Sequence, residues 1–384
     1  MKYEDIKKII ESCHLNFLIG SGVSNPFLGT LGEIENLLTD LSKENDSDEK
    51  TIIDASIKKH YFDVAIKGNL EILKGDSEKL NITKKNYEDF LDSISKILSK
   101  RKTNLVTKQV NLFTTNMDLF LEYGLEKLGL IYNDGFLGRL NTVFGTENFH
   151  NIVKKTSTHY EYQSEIPLFN LFKLHGSVNW KIKDNNNIKD INNKQITYDY
   201  NLDILNEIEK INSKDSDFLK IEYKNKDCDW KTYSIEELKE NLRENNINKK
   251  VIHESFIKAY NKLLMINPTK EKFEATTRVL TFYELLRMYS NHLEKENSVL
   301  FVFGFSFADE HIREITKRVA KSNPTLIIII FAYNKTSGKD IEKKIGSIKN
   351  IKVIYDEKEK EEDEKKYSLD MINKEFFNKL AKEL

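Results

Sequence analysis

The stretch Phe17-Leu-Ile-Gly-Ser-Gly-Val-Ser24 decides the fold. It closes an apolar run that begins at His14, and a helical pattern resumes from Leu31 to Leu41. Strand, glycine turn and helix in that order open an α/β sheet, whose ligands sit at the carboxyl ends of the strands. Three further runs, read outward from this one, end in the same way. They are Phe113-Thr-Thr-Asn-Met-Asp118, Phe172-Lys-Leu-His-Gly-Ser177 and Leu300-Phe-Val-Phe-Gly-Phe-Ser306. Each breaks abruptly at Gly, Ser, Thr, Asn or His. The fold class predicted is α/β, a Rossmann-like, mostly parallel sheet flanked by helices, with helical insertions forming a second subdomain.

Apolar spacing predicts a helix over Tyr3 to Cys13 and several amphipathic helices between Asp48 and Arg101. One of these places Phe90, Leu91, Ile94, Ile97 and Leu98 on a shared face. Leu130 to Tyr132, Leu168 to Leu174, Val299 to Phe303 and Leu326 to Phe331 read as strands, and Thr281 to Leu293 and Asp309 to Ala320 as helices. Residues 133–165 read as loop-rich. Residues 181–250, with Asp184-Asn-Asn-Asn-Ile188, read as an Asn- and Lys-rich excursion from the sheet. A charged run at 357–366 precedes a candidate docking helix from Leu369 to Leu380.

Sixty basic and 61 acidic side chains leave a formal net charge of −1. That balance gives no global electrostatic reason to expect a nucleic-acid or membrane partner. A hydrophobic content of 39% is sufficient for a folded core. The two cysteines, Cys13 and Cys228, cannot form a four-cysteine zinc site. The first residues hold no secretory core, and Leu326 to Phe331 is too short to cross a bilayer. A cytoplasmic protein is expected.

Each break has a plain reading and a chemical one. Glycines at 20 and 22 make a tight turn, or let main chain approach a pyrophosphate at a helix start. The G-x-G-x-x-G fingerprint is incomplete, because Asn25 stands at its third glycine position. Thr115, Asn116 and Asp118 can cap a helix, or can position ribose hydroxyls and a water. His175 at a strand end is structural, or is a general base with suitable titration. Gly304-Phe-Ser306 is a turn, or a contact for the far half of a dinucleotide, and Asp309 caps the next helix or touches ribose.

Taken together, the order of motifs resembles the sirtuin-like superfamily. Gly20-Ser-Gly-Val-Ser24, followed by Asn25-Pro26-Phe27, is similar to that family's glycine-alanine-glycine-x-serine phosphate loop. Thr115-Asn116-x-Asp118 resembles its glutamine-asparagine-x-aspartate segment, His175-Gly176 its catalytic pair, and Gly304-Phe-Ser306 its late glycine-x-serine turn. The resemblance covers roughly residues 1–180 and 260–355. Thr115 in place of the glutamine and the missing zinc cysteines depart from the deacylase pattern. Pro268-Thr-Lys-Glu-Lys-Phe273 and Gly304-Phe-Ser-Phe-Ala-Asp-Glu-His-Ile312 instead resemble the zinc-free bacterial branch associated with antiviral defence.

This resemblance implies an NAD+ glycohydrolase acting in anti-phage defence, with Asn116 and His175 catalytic and no metal. It implies NAD+ contacts from Gly20, Ser21, Gly22, Ser24, Thr115, Asp118, Gly304 and Ser306. The catalytic domain would span 1–355, with insertions at about 31–105 and 181–260, before a charged link and helix at 356–384. Control by homo-oligomerisation or by a HerA-like hexameric ATPase is expected, without direct nucleic-acid binding by this chain. The rival expectations are a non-enzymatic NAD or nucleotide sensor that acts by assembly, and an NAD-dependent protein deacylase.

Overall fold

A computed structural model of the chain describes residues 3–30, 32–101, 106–159, 161–183, 195–211, 217–224, 230–244, 250–266, 280–358 and 365–383. The stretches Pro268–Phe273 and Asp184–Ile188 lie outside the described residues, as do residues 359–364 of the charged run.

Seven strands form one sheet. They are β1 (His14–Ile19), β2 (Gln109–Thr114), β3 (Tyr132–Asn133), β4 (Leu168–Lys173), β5 (Ser298–Phe303), β6 (Ile327–Phe331) and β7 (Ile351–Ile354). Their spatial order is β7-β6-β5-β1-β2-β4-β3, and every neighbouring pair is parallel. The chain moves one way from β1 to β2, then returns to the other side of β1 with β5. The resulting switch point, between β1 and β5, is where an open α/β sheet leaves a crevice.

The strands are apolar on both sides because both faces are covered. Leu15, Phe17 and Ile19 alternate with Asn16 and Leu18, and they enter separate cores. On the Phe17 face, between β1 and β2, lie helices α1 (Ile34–Ser42), α2 (Asp48–Tyr61), continued by a wider turn at Phe62–Ile66, and α3 (Glu78–Lys100), with a short helix at Asn69–Ile72. The opposite face carries α4 (Leu280–Glu294), α5 (Glu310–Ser322) and α6 (Lys335–Ile345). The C-terminal segment, Leu369–Ile372, Asn373–Phe377 and Asn378–Glu383, docks on the first face. Phe377 is fully buried there, with its ring 5.5 to 5.9 Å from those of Phe17, Phe90 and Phe301.

The excursion after Trp180 is folded where it is described. It holds the hairpin pairs Trp180–Ile182 with Ile196–Tyr198 and Glu222–Lys224 with Trp230–Thr232. It also holds helices Asp203–Ile211, Ile235–Glu244 and Lys250–Tyr260. Leu219 N–H donates to Ser56 Oγ at 3.0 Å, which ties this excursion to α2. Residues 133–165 contain two short antiparallel pairs, Phe136–Leu137 with Val143–Phe144 and Lys154–Thr156 with Gln163–Glu165.

One polar feature crosses the interior. Asn16, Asn111 and Asn170 stand opposite one another on β1, β2 and β4. Asn111 Nδ2 donates to Asn16 Oδ1 at 2.8 Å, and Asn170 Nδ2 donates to Asn111 Oδ1 at 3.0 Å. Asn16 Nδ2 donates to the Val299 carbonyl of β5 at 3.2 Å. His292 Nδ1 lies 3.0 Å from Asn111 Nδ2, and burial pushes its imidazole down to about 3. Neutral His292 therefore accepts at Nδ1. Among the described residues, no helix is long and apolar enough to cross a membrane.

Candidate functional site

The breaks after β1, β2, β4 and β5 lie on one line. Phe303, Ile19, Thr114 and Lys173 are register partners across adjacent strands. The four segments therefore leave the sheet together, at its carboxyl edge.

The glycine turn folds back on the turn after β5. Gly20 N–H donates to the Phe303 carbonyl at 3.1 Å and Gly22 N–H to the Gly304 carbonyl at 3.0 Å. Val23 and Ser24 N–H groups close the turn on Gly20 and Ser21 carbonyls, both at 3.1 Å. A Cβ at Gly20 would fall 2.3 Å from the Gly304 oxygen. Gly304 has φ +64, and a Cβ there would meet Val23 N at 2.7 Å. These glycines are thus required by turn-on-turn packing, and the N–H groups of Gly20, Gly22, Val23 and Ser24 are spent inside the fold. Ser21 and Gly22 are exposed and form the outer lip.

Beneath that lip lies a buried network. Ser24 Oγ donates to Asp118 Oδ2 at 2.6 Å and lies 3.0 Å from Tyr87 Oη. A hydroxyl has one proton, so the Tyr87 phenol donates to Ser24. Burial, reinforced by the Asp118 carboxylate, holds that phenol well above its ordinary range and keeps it protonated. Asp118 Oδ1 accepts from Phe120 N–H at 3.3 Å, where the chain enters the helix Phe120–Lys127. Asp118 therefore caps and anchors. It is 6% exposed, as is Asn116.

Asn116 is fixed by its neighbours. Its N–H donates to Thr114 Oγ1 at 2.9 Å, and Nδ2 donates to the Gly20 carbonyl at 3.1 Å and to Ser24 Oγ at 3.4 Å. Its Oδ1 is buried and has no hydrogen-bond partner. Buried polar atoms are normally paired, so an acceptor held in place with nothing to accept points to a donor supplied from outside the chain. Thr115, beside it, is half-buried.

His175 leaves β4 and is clamped through its main chain. Its carbonyl accepts from Ile266 N–H at 3.0 Å, and Gly176 bridges to Met265. Gly176 has φ +80, and a Cβ there would lie 2.2 Å from the Leu264 oxygen, so the histidine-glycine pairing is a backbone necessity. The His175 side chain is 13% exposed, and its Nε2 lies 3.1 Å from Asp309 Oδ2. The other carboxylate oxygen of Asp309 accepts from Ile312 N–H at 3.1 Å and caps α5. Ser306 is exposed, and its carbonyl accepts from Lys344 Nζ at 3.3 Å.

The sequence reading misses one pairing and one residue. Asp309 reads there as a cap or a ribose contact, and its meeting with His175 has no sequence signal because two strands lie between them. Lys173 ends β4 and is 2% exposed. Its Nζ donates to the Asp118 carbonyl and pairs with Glu122 at 3.1 Å. Burial raises the Glu122 carboxyl. A lysine at the last position of an apolar strand is the signal that was available. Among the described residues, no group of three or more His, Cys, Asp or Glu side chains is placed to hold a metal ion.

Residues 258–354 match the family model of the SIR2-like domain. The matched segment contains β5, β6 and β7, the Gly304–Ser306 turn and Asp309, and it stops short of Gly20, Asn116 and His175 on the N-terminal side. It supports a sirtuin-like relationship for this part of the sheet. No curated protein matches the chain.

Proposed function

We propose that the protein hydrolyses the nicotinamide–ribose bond of NAD+. The observation that carries this reading is the buried, unpartnered Oδ1 of Asn116, held at the carboxyl edge after β2, between the glycine turn and the His175 strand end. An amide oxygen there accepts from a ribose hydroxyl or from the attacking water. The SIR2-like match is consistent with NAD chemistry.

Water adds to the ribose anomeric carbon as the glycosidic bond breaks, and nicotinamide leaves with the bonding electron pair. Its pyridinium charge is neutralised in the process. The proton released by water passes to His175, directly or through a ribose hydroxyl, and then to solvent. Nicotinamide, ADP-ribose and one proton result. Ser21 and Gly22 would receive the pyrophosphate at the lip. Gly20 and Gly304 would let it approach, and Thr115 and Ser306 would meet the ribose and adenosine portions. Ser24 and Asp118, whose side chains are committed to each other, would hold Asn116 in place.

The wider reading rests on the resemblance of motifs. Residues 1–355 would be the catalytic unit, acting in the cytoplasm without metal or direct nucleic-acid contact. NAD+ depletion would serve anti-phage defence under control of self-assembly or a HerA-like ATPase.

The test is nicotinamide release from NAD+ by the purified chain, over a range of protein concentrations and with a candidate ATPase added. Asn116→Ala and His175→Ala are assayed beside it. Release abolished by both substitutions in folded protein is the expected result. Tight NAD+ binding without release under every condition would overturn the hydrolase and leave a receptor, and acyl-lysine turnover would indicate a deacylase.

A further inference from the structure

The turn after β5 is shaped to deliver one carboxylate. Phe307 is fully buried at φ +54, a conformation that costs a non-glycine residue about 1 kcal/mol. Arg313 holds it there, donating through Nη1 to the Phe307 carbonyl at 3.1 Å. Asp309 follows, 6% exposed, with its two oxygens divided between Ile312 N–H and His175 Nε2. His175 comes from β4 and Asp309 from the turn after β5, with β1 and β2 between them. Strands spaced about 4.8 Å apart put these origins about 14 Å from each other. The two loops thus lean together across the ends of β1 and β2.

We propose that Asp309 is a positioning residue that fixes the tautomer and orientation of His175, an inference that rests on His175 serving the reaction proposed above. A carboxylate at Nε2 keeps a proton on that nitrogen. Nδ1 of the neutral ring is then the free acceptor, the form a general base needs. The clamp on the His175 main chain by Ile266 and Met265 leaves ring rotation as the remaining freedom, and the 3.1 Å approach of Asp309 Oδ2 to Nε2 opposes it.

Two substitutions separate this role from helix capping, because Asn and Ser both cap well. Asp309→Asn keeps the cap and can turn an amide N–H toward Nε2, which moves the ring proton to Nδ1. Asp309→Ser keeps the cap and is too short to reach the ring. The measurements are kcat and KM for nicotinamide release, the melting temperature, and 15N spectra of ring-labelled histidine, with the His175 signal assigned from His175→Gln. The wild type is expected to carry its proton on Nε2. Asp309→Asn should move it to Nδ1 and lower kcat by ~100-fold or more with KM little changed. Asp309→Ser should lose the fixed tautomer while melting near the wild type. An unchanged His175 signal in Asp309→Asn, or a kcat within about threefold of wild type, would overturn the proposal. If the wild type releases no nicotinamide, the hydrolase reading fails. The spectra still decide whether Asp309 governs the ring.

Discussion

Gly20 and Gly304 meet so closely that a Cβ at position 20 would stand 2.3 Å from the Gly304 carbonyl oxygen. Both contacting groups are main chain, and neither can rotate away. Gly20→Ala is therefore expected to cost about 1–3 kcal/mol, the usual effect of overpacking. Thermal melting with and without NAD+ checks this. A variant as stable as the wild type would show that the two turns separate freely.

Phe377 lies far in sequence from the residues of the carboxyl edge and is central to one core. Its ring packs on Phe17, Phe90 and Phe301. Phe377→Ala should destabilise by about 3–5 kcal/mol. Per folded molecule, NAD+ turnover should stay near wild type. Loss of turnover in fully folded protein would mean that the C-terminal segment contributes to the site itself.

Lys173 and Glu122 form a buried pair beneath Asp118, with side chains 2% and 13% exposed. Lys173→Met leaves an uncompensated carboxylate, whose cost is about 3–5 kcal/mol. Lys173→Met combined with Glu122→Leu should recover much of that loss, because neither charge of the pair is left without its partner. Chemical denaturation of the three proteins tests it. Equal stability of the single and double variants would argue against coupling.

His292 gives a pH dependence of definite sign. Burial holds it near 3 in the folded chain, against about 6.5 for a free imidazole. Between those values the unfolded chain binds the extra proton, so stability falls as pH falls below about 6.5. The slope from this residue is at most ~1.4 kcal/mol per pH unit. His14, also lowered by burial, adds in the same direction. His292→Gln keeps an acceptor for Asn111 and should flatten the decline in melting temperature between pH 7 and pH 5. An unchanged decline would assign it to other groups.

The central strands were legible because they are continuous apolar runs, and the carboxyl edge was legible because each run stops at Gly, Thr or His. β7 and α6 were not. β7 is a half-buried edge strand of four residues, and α6 is largely charged with only Gly338, Ile341 and Ile345 buried, so neither carries a long apolar run. The excursion hid its helices behind Asn- and Lys-rich composition, although Ile204, Leu205 and Ile208 mark one buried face. At the site, the motif residues were visible one at a time. Their connections were not, because Ser24 with Asp118 and His175 with Asp309 are joined only by the fold. The glycines show the limit most clearly. A phosphate loop and a packed pair of turns demand the same residues, and the hydrogen bonds of Gly20 and Gly22 reveal the second demand.

The asparagine ladder gives the inner strands chemical addresses. A run such as Ile327-Ile-Ile-Ile330 is nearly identical from one residue to the next, and burial alone distinguishes its slipped pairings poorly. Asn16, Asn111 and Asn170 mark one position on each of three neighbouring strands. A shift by a single residue turns an amide to the wrong face and strands its partner, at roughly 1–3 kcal/mol for each buried group left unpaired. Misaligned pairings of these three strands are thereby disfavoured. The carboxyl edge inherits the result: Gly20, Asn116 and His175 follow strands whose alignment is the one that pairs all three asparagine amides.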